Sequence, residues 1–306
     1  MMAWLTHRPL HFLIVVWGVT TLVFVALRMT GDPAVMLLPG DPTMAEINLM
    51  REKLGLNKPL IEQYVVFVGN AFRGDFGQSF RHGVPASSVV LERLPATALL
   101  AFSALALAAV VAIPMGILAA VNRGRLADLG VMLLAVIGQG VPFFWLGLML
   151  ILVFGVEFRM FPTGGYGSIQ HLVLPSVTLA AYIGASTARI ARSSMLEVLG
   201  QDYMRTARAK GLALYVVVLK HGLRNAAIPL VTYLGLQMGL LLGGTVVVEE
   251  IFAWPGVGRL LLQAISFRDY PVVQAATFIL AMIFVVVNLL VDIVYTVLDP
   301  RVRDRR

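Results

Sequence analysis

The sequence predicts an all-α protein that crosses a membrane six times. Of its 306 residues, 58% are hydrophobic and 13% charged, against roughly 25% charged in soluble domains. The mean hydropathy is +0.84, so surplus apolar surface must face something other than water. The apolar residues also fall in long unbroken runs of the roughly 20 residues a helical span needs. A membrane barrel would show short alternating strands instead.

The first span is expected from about Pro9 to Leu27 and the second from about Ala96 to Val121. The third runs from about Leu129 to Val156 and the fourth from about Leu172 to Ile190. The fifth covers about Ile228 to Val248 and the sixth about Val272 to Leu298. Residues 1–28 read as an uncleaved span: the apolar run exceeds a signal-peptide core, and Arg28 stands where a small-residue cleavage site belongs. Residues 29–95 form an extracytoplasmic cap, and residues 96–306 the core, with a cytoplasmic loop at about 194–227. The cap is punctuated by Gly31-Asp-Pro33, Gly40-Asp-Pro42 and Gly74-Asp75, and Thr43 with Glu46 suits a helix start.

Orientation follows from Lys and Arg in short loops. With both termini cytoplasmic, Arg8, Arg123, Arg125, Arg189, Arg192, Arg205, Arg208, Lys210, Lys220, Arg224, Arg301, Arg303, Arg305 and Arg306 lie inside. The short outer loops hold Arg159, Arg259 and Arg268. This asymmetry accounts for the net charge of +7 with no nucleic-acid partner; the partner is the lipid bilayer.

Several chemistries find no residues to carry them. The chain has no Cys, which removes disulfides and thiolate catalysis. No Gly-rich loop ends in Lys-Ser/Thr to cradle phosphates, so the chain binds no ATP of its own. No Ser/His/Asp grouping or metal-ligand spacing is visible, so the chain is expected to be no enzyme and to hold no metal or cofactor. Ion-coupled carriers bury ionisable groups in their spans. Here Asp292 is the one acid well inside a span, close enough to the cytoplasmic end to reach the interface or pair with an Arg. An ion-coupled secondary transporter is therefore the weaker reading, as is a non-transporting membrane scaffold.

Energy must then enter from another chain, and the loop between the fourth and fifth spans is the candidate receiver. Asp202, Tyr203, Met204, Arg205, Thr206, Ala207, Arg208 and Lys210 read as a short helix closed by Gly211. Asp202 near its start and Lys210 near its end suit the helix dipole. The spacing puts Met204, Ala207 and Gly211 on one face and Tyr203, Ala207 and Lys210 on its neighbour, small enough for close approach by a partner.

This stretch resembles the EAA loop of ABC importer permeases, a pattern of Glu-Ala-Ala, three residues, Gly, nine residues and Ile-x-Leu-Pro. Arg205-Thr206-Ala207, Gly211 and His221-Gly222-Leu223-Arg224 take those places, and only Ala207, Gly211 and Leu223 match the general form. The runs DYMRTARAKGL and KHGLRNAAIPLVTYLGLQ are closer to the dipeptide, oligopeptide and nickel branch. So are GDFGQSFR, PFFWLGLMLIL, FPTGGYGS and VVVEEIFAWPGVGRLLLQAISFRDYPVVQA, and the resemblance spans the whole chain.

The resemblance implies a type I importer permease fold in a bacterial or archaeal cytoplasmic membrane, importing peptides, or nickel or another small solute. It implies a second homologous permease in a heterodimer, two ATPase subunits that bind ATP and Mg, and an extracytoplasmic solute-binding protein. The 202–211 loop would be the coupling helix seated on the ATPase, and the cap with Phe252 to Tyr270 would receive the binding protein. Trp254, Arg268 and Asp269 are candidate contacts there, although Trp254 also suits an aromatic belt at the membrane face. Gln139, Gln237 and Asn288 are candidates to line the pathway, or to serve as interhelical hydrogen bonds. Gly138-Gln-Gly-Val-Pro142 marks a bend in the third span or close helix packing.

Overall fold

The computed structural model describes residues 14–26, 34–35, 38, 40, 42–53 and 55–298. Among them the regular elements are helices, with one isolated bridge between Gln78 and Pro85. The helices are α1 (Ile14–Ala26), α2 (Met44–Lys53), α3 (Leu60–Phe72), α4 (Ala86–Val121), α5 (Leu126–Gly140) and α6 (Phe143–Glu157). They continue as α7 (Ile169–Leu199), α8 (Asp202–Ala209), α9 (Leu214–Leu242), α10 (Val246–Ile251), α11 (Val257–Ser266) and α12 (Tyr270–Leu298). The chain divides into two units, one of residues up to Thr97 with Pro255–Val285, the other of Ala98–Trp254 with residues from Val286.

Four helices are long and apolar enough to cross a membrane: α4, α7, α9 and α12 within Tyr270–Val291. The bent pair α5 and α6 brings the number to five if it counts as one span. Six spans are therefore more than the described residues carry. Of the expected first span only α1 is described, and it is a shorter apolar helix. The expected third span is not straight; it turns by 99° between α5 and α6. The cause is local: Val141 is extended (φ −82°, ψ 123°) and precedes Pro142, whose ring disfavours a helical residue before it.

Other boundaries shift as well, the fourth span running on to Leu199 rather than ending near Ile190. The second span begins at Ala86 rather than Ala96, because Glu92, Arg93 and Pro95 are accommodated in the opening turns of α4. The fifth begins at Leu214 rather than Ile228: Lys220 and His221 lie in a π-helical segment, Val217–Leu223, that runs straight into Arg224–Gly244. Charge marked those positions as loop, but a helix presents them on one exposed or half-buried side while Val217, Val218 and Gly222 are buried on the other.

In the first unit, α1 packs on α3 through Phe24, whose ring lies 5.3 Å from Tyr64 and 5.5 Å from Phe67. The Thr21 hydroxyl hydrogen-bonds the Tyr64 hydroxyl. Thr43 and Glu46 cap α2 reciprocally: the Thr43 N–H donates to the Glu46 carboxylate at 2.8 Å and the Glu46 N–H donates back to the Thr43 hydroxyl. The Thr43 N–H first, and its hydroxyl second, hold the Glu46 carboxyl below its ordinary pKa. The core of this unit joins Ala71 and Phe76 to Val89 and Val90 of α4, Leu260 and Ala264 of α11, and Val272 and Ala276 of α12.

In the second unit α7 is the central helix, with buried faces along much of its length. Val131 of α5 and Ala112 and Ala119 of α4 pack with Ala188. Large apolar side chains such as Phe102, Val110, Leu134 and Ile137 point outward, as lipid-facing surface requires.

Candidate coupling loop and its supports

Gly200 and Gln201 separate α7 from α8, and Gln201 is extended (ψ 151°) as a helix entry needs. After Lys210 the chain turns at Gly211, whose φ of +75° is left-handed. Such a residue at a helix end is commonly Gly, because it has no Cβ to clash. The loop at 194–227 thus contracts to the short stretch around α8.

The inward face of α8 differs from expectation. Met204 is fully buried and Ala207 is buried with it, packed against Val217, Val198 and Leu199. A Cβ on Gly222 would stand 3.0 Å from the Met195 methyl and 3.6 Å from that of Met204. Ala207 and Met204 therefore seat the helix on its own chain. Met204 is the larger anchor, and its flexible thioether suits an irregular socket.

The residues left outward are Asp202, Tyr203, Arg205, Thr206, Arg208, Ala209, Lys210 and Gly211. Arg205 and Asp202 approach to 3.6 Å, but both side chains are more than three-quarters exposed, so this pair adds little stability. The Thr206 hydroxyl donates to the Asp202 carbonyl at 3.1 Å. The outer face is thus polar and mainly basic.

One ion pair was not singled out in the sequence. Arg192 of α7 forks onto Asp128 at the start of α5, Nε to Oδ1 at 2.5 Å and Nη2 to Oδ2 at 2.7 Å. The Gly124 N–H also donates to Oδ2 at 2.9 Å. In the sequence Arg192 is one of many inside charges. The available signal was Asp128, a lone acid beside Arg123 and Arg125.

The pathway candidates are placed differently from one another. Gln139 of α5 donates to the Ser186 hydroxyl of α7, an interhelical hydrogen bond. Gln237 of α9 and Asn288 of α12 are half-buried. Asp292 lies in α12, with its side chain outside the described residues.

Of the candidate binding-protein contacts, only Arg268 is exposed. Trp254 is 1% exposed, edge-on to Tyr166 with centroids 4.9 Å apart, so its side chain packs within its own unit and leaves little surface for an aromatic belt or a docking contact. Phe252 beside it is equally buried, and its carbonyl accepts from the Gly165 N–H at 2.8 Å. Asp269 is also buried, because its carboxylate organises the 79–81 turn. It accepts from the Ser79 hydroxyl at 2.5 Å, the Phe80 N–H at 3.1 Å and the Arg81 N–H at 3.3 Å. Replacing Asp269 with Ala leaves these donors without their acceptor, at roughly 1–3 kcal/mol per buried group. Faster amide exchange over 77–83 is the expected result, and unchanged exchange there would contradict this role.

Residues 112–304 match the family described as binding-protein-dependent transport system inner membrane component, and residues 1–101 match its N-terminal region. The chain belongs to that family. It is thus an integral inner-membrane component of a binding-protein-dependent transport system. The glutathione transport system permease protein GsiC of Escherichia coli (strain K12) is 43% identical over 304 residues, covering 99% of each chain. GsiC of Shigella flexneri serotype 5b is equally similar. Among solved structures, the inward-facing MetNI methionine ABC transporter aligns with a TM-score of 0.58 at 20% identity, over 69% of this chain and 96% of that one. An amino acid ABC transporter aligns at 0.52 and 18% identity, over 70% and 94%. The likeness to these solved structures establishes the ABC importer permease fold.

Proposed function

We propose that this permease forms the translocation path of an ATP-driven importer of short peptides, with glutathione the first solute to test. The observation that carries the reading is the 43% identity to GsiC along essentially the whole of both chains. In this reading α8 presents Tyr203, Arg205, Arg208 and Lys210 to one of two cytoplasmic ATPase subunits, which bind ATP and Mg. A second homologous permease completes the path as a heterodimer, and a solute-binding protein delivers solute from outside. Both termini are cytoplasmic.

The test is uptake by proteoliposomes holding the permease pair, the ATPases and the binding protein. Glutathione, dipeptides, longer peptides and nickel are offered in turn, with ATP inside or outside. Uptake of glutathione or a short peptide only with ATP on the α8 side is expected. A thiol introduced by Arg208→Cys should be labelled from that side alone, since the natural chain has no Cys. Transport of nickel and no peptide would replace the substrate class. Uptake driven by an ion gradient without ATP would sink the reading.

A further inference from the structure

The Asp128–Arg192 pair has no part in the surface that α8 presents outward. It joins the first turn of α5 to α7 near the end of α7 that leads into α8. Arg192 lies seven residues before Leu199, about 10 Å along the axis at the helical rise. Only Gly200 and Gln201 then intervene before α8.

The site is dense. Asp128 is buried and Arg192 about one-quarter exposed. The carboxylate accepts two guanidinium N–H groups and the Gly124 N–H. On another side of the same turn of α7, α4 makes backbone-close contact. A Cβ on Gly116 would lie 2.5 Å from the Ala188 carbonyl oxygen, 2.5 Å from the Ala191 Cβ and 3.0 Å from the Arg192 nitrogen. Helices α4, α5 and α7 are therefore drawn together around Arg192, just ahead of the segment that carries α8.

A buried ion pair is seldom the most stabilising choice, since apolar residues of similar volume often do as well or better. What a bidentate fork adds is direction: its two parallel bonds fix both distance and rotation. Apolar helix faces interdigitate without directional bonds, whereas this fork loses its hydrogen bonds on a small shear. Its location suits it to keep α5 and α7 moving as one body.

We propose that Asp128 and Arg192 are positioning residues that lock α5 to α7, so that displacement of α8 is delivered to both helices and not lost as slip between them. The proposal rests on the reading of α8 as the ATPase-coupled element. Neither residue touches solute or nucleotide in this role.

The experiment uses the full complex in proteoliposomes and reads solute imported per ATP hydrolysed, together with the amount of assembled complex. Asp128→Asn and Arg192→Gln should lower that ratio at least about fivefold, the lower end of typical coupling between sites, while ATP hydrolysis continues. Arg192→Lys keeps the charge but loses the fork and should fall between. The reversed pair, Asp128→Arg with Arg192→Asp, should recover part of the ratio. The apolar pair, Asp128→Leu with Arg192→Met, preserves packing and should assemble yet remain poorly coupled; it carries the test if the single variants fail to assemble. A wild-type ratio in the assembled apolar pair, or in Asp128→Asn, overturns the proposal. If the wild-type complex imports solute without ATP, the coupled reading fails first, and the variants do not enter that judgement.

Discussion

Replacing Met204 with Lys is expected to unseat α8 and to cut recovery of the ATPase subunits with the permease at least about tenfold, equivalent to about 1.4 kcal/mol of binding. Met204 is fully buried against Val217 and Ala207, with its methyl close to Gly222. Truncating such a residue costs roughly 2–5 kcal/mol, and an unpaired ammonium in its place adds a desolvation penalty. Ala209→Ser is the matched control, since Ala209 is exposed on the same helix and is assigned no contact; it should leave the helix seated. Amide exchange over 202–209 should accelerate in Met204→Lys and stay slow in the permease with wild-type Met204. Normal ATPase recovery with Met204→Lys would show that seating on the chain's own core is dispensable.

Replacing Trp254 with Ala is expected to lower the stability of its unit by roughly 3–5 kcal/mol, as for other large buried aromatics. The indole packs edge-on to Tyr166 in a corner where the chain has little freedom. Ala253 has a φ of +49°, and a Cβ on Gly164 would sit 2.7 Å from the Phe252 carbonyl oxygen. Gly164→Ala should therefore weaken the same corner by a separate route, through a backbone clash. Thermal unfolding of the purified permease is the measurement for both. If Trp254→Ala leaves the midpoint unchanged and lowers only stimulation by the binding protein, Trp254 acts as a contact surface after all.

The membrane class and the position of α8 were legible because they depend on local quantities: apolar run length, loop charge, and a helix-forming stretch ended by Gly211. The bend was half legible, since Val141-Pro142 marked it without giving the angle. What the sequence hid was which side of each helix meets its own chain. Asp269 reads as a surface acid, yet its acceptors lie opposite donors at 79–81, nearly two hundred positions away along the chain. Met204 and Ala207 read as one small face for a partner because the segment that buries them, Val217–Leu223, read as loop. In sequence Arg192 is indistinguishable from other inside charges; only its fork onto Asp128 sets it apart.

The elbow between α5 and α6 bears on where water reaches. A turn of 99° interrupts the ladder of amide hydrogen bonds, leaving the last carbonyls of one half-helix and the first N–H groups of the next without helical partners. The Val141 N–H still reaches back to the Ile137 carbonyl at 3.0 Å and the Leu146 N–H to the Pro142 carbonyl at 3.1 Å, which are the last and first ordinary bonds of the two half-helices. Hydrocarbon offers nothing to the groups between them. Wherever this corner lies within bilayer depth, its backbone must be wetted or covered by protein, and it marks a stretch of the permease wall that acyl chains cannot seal.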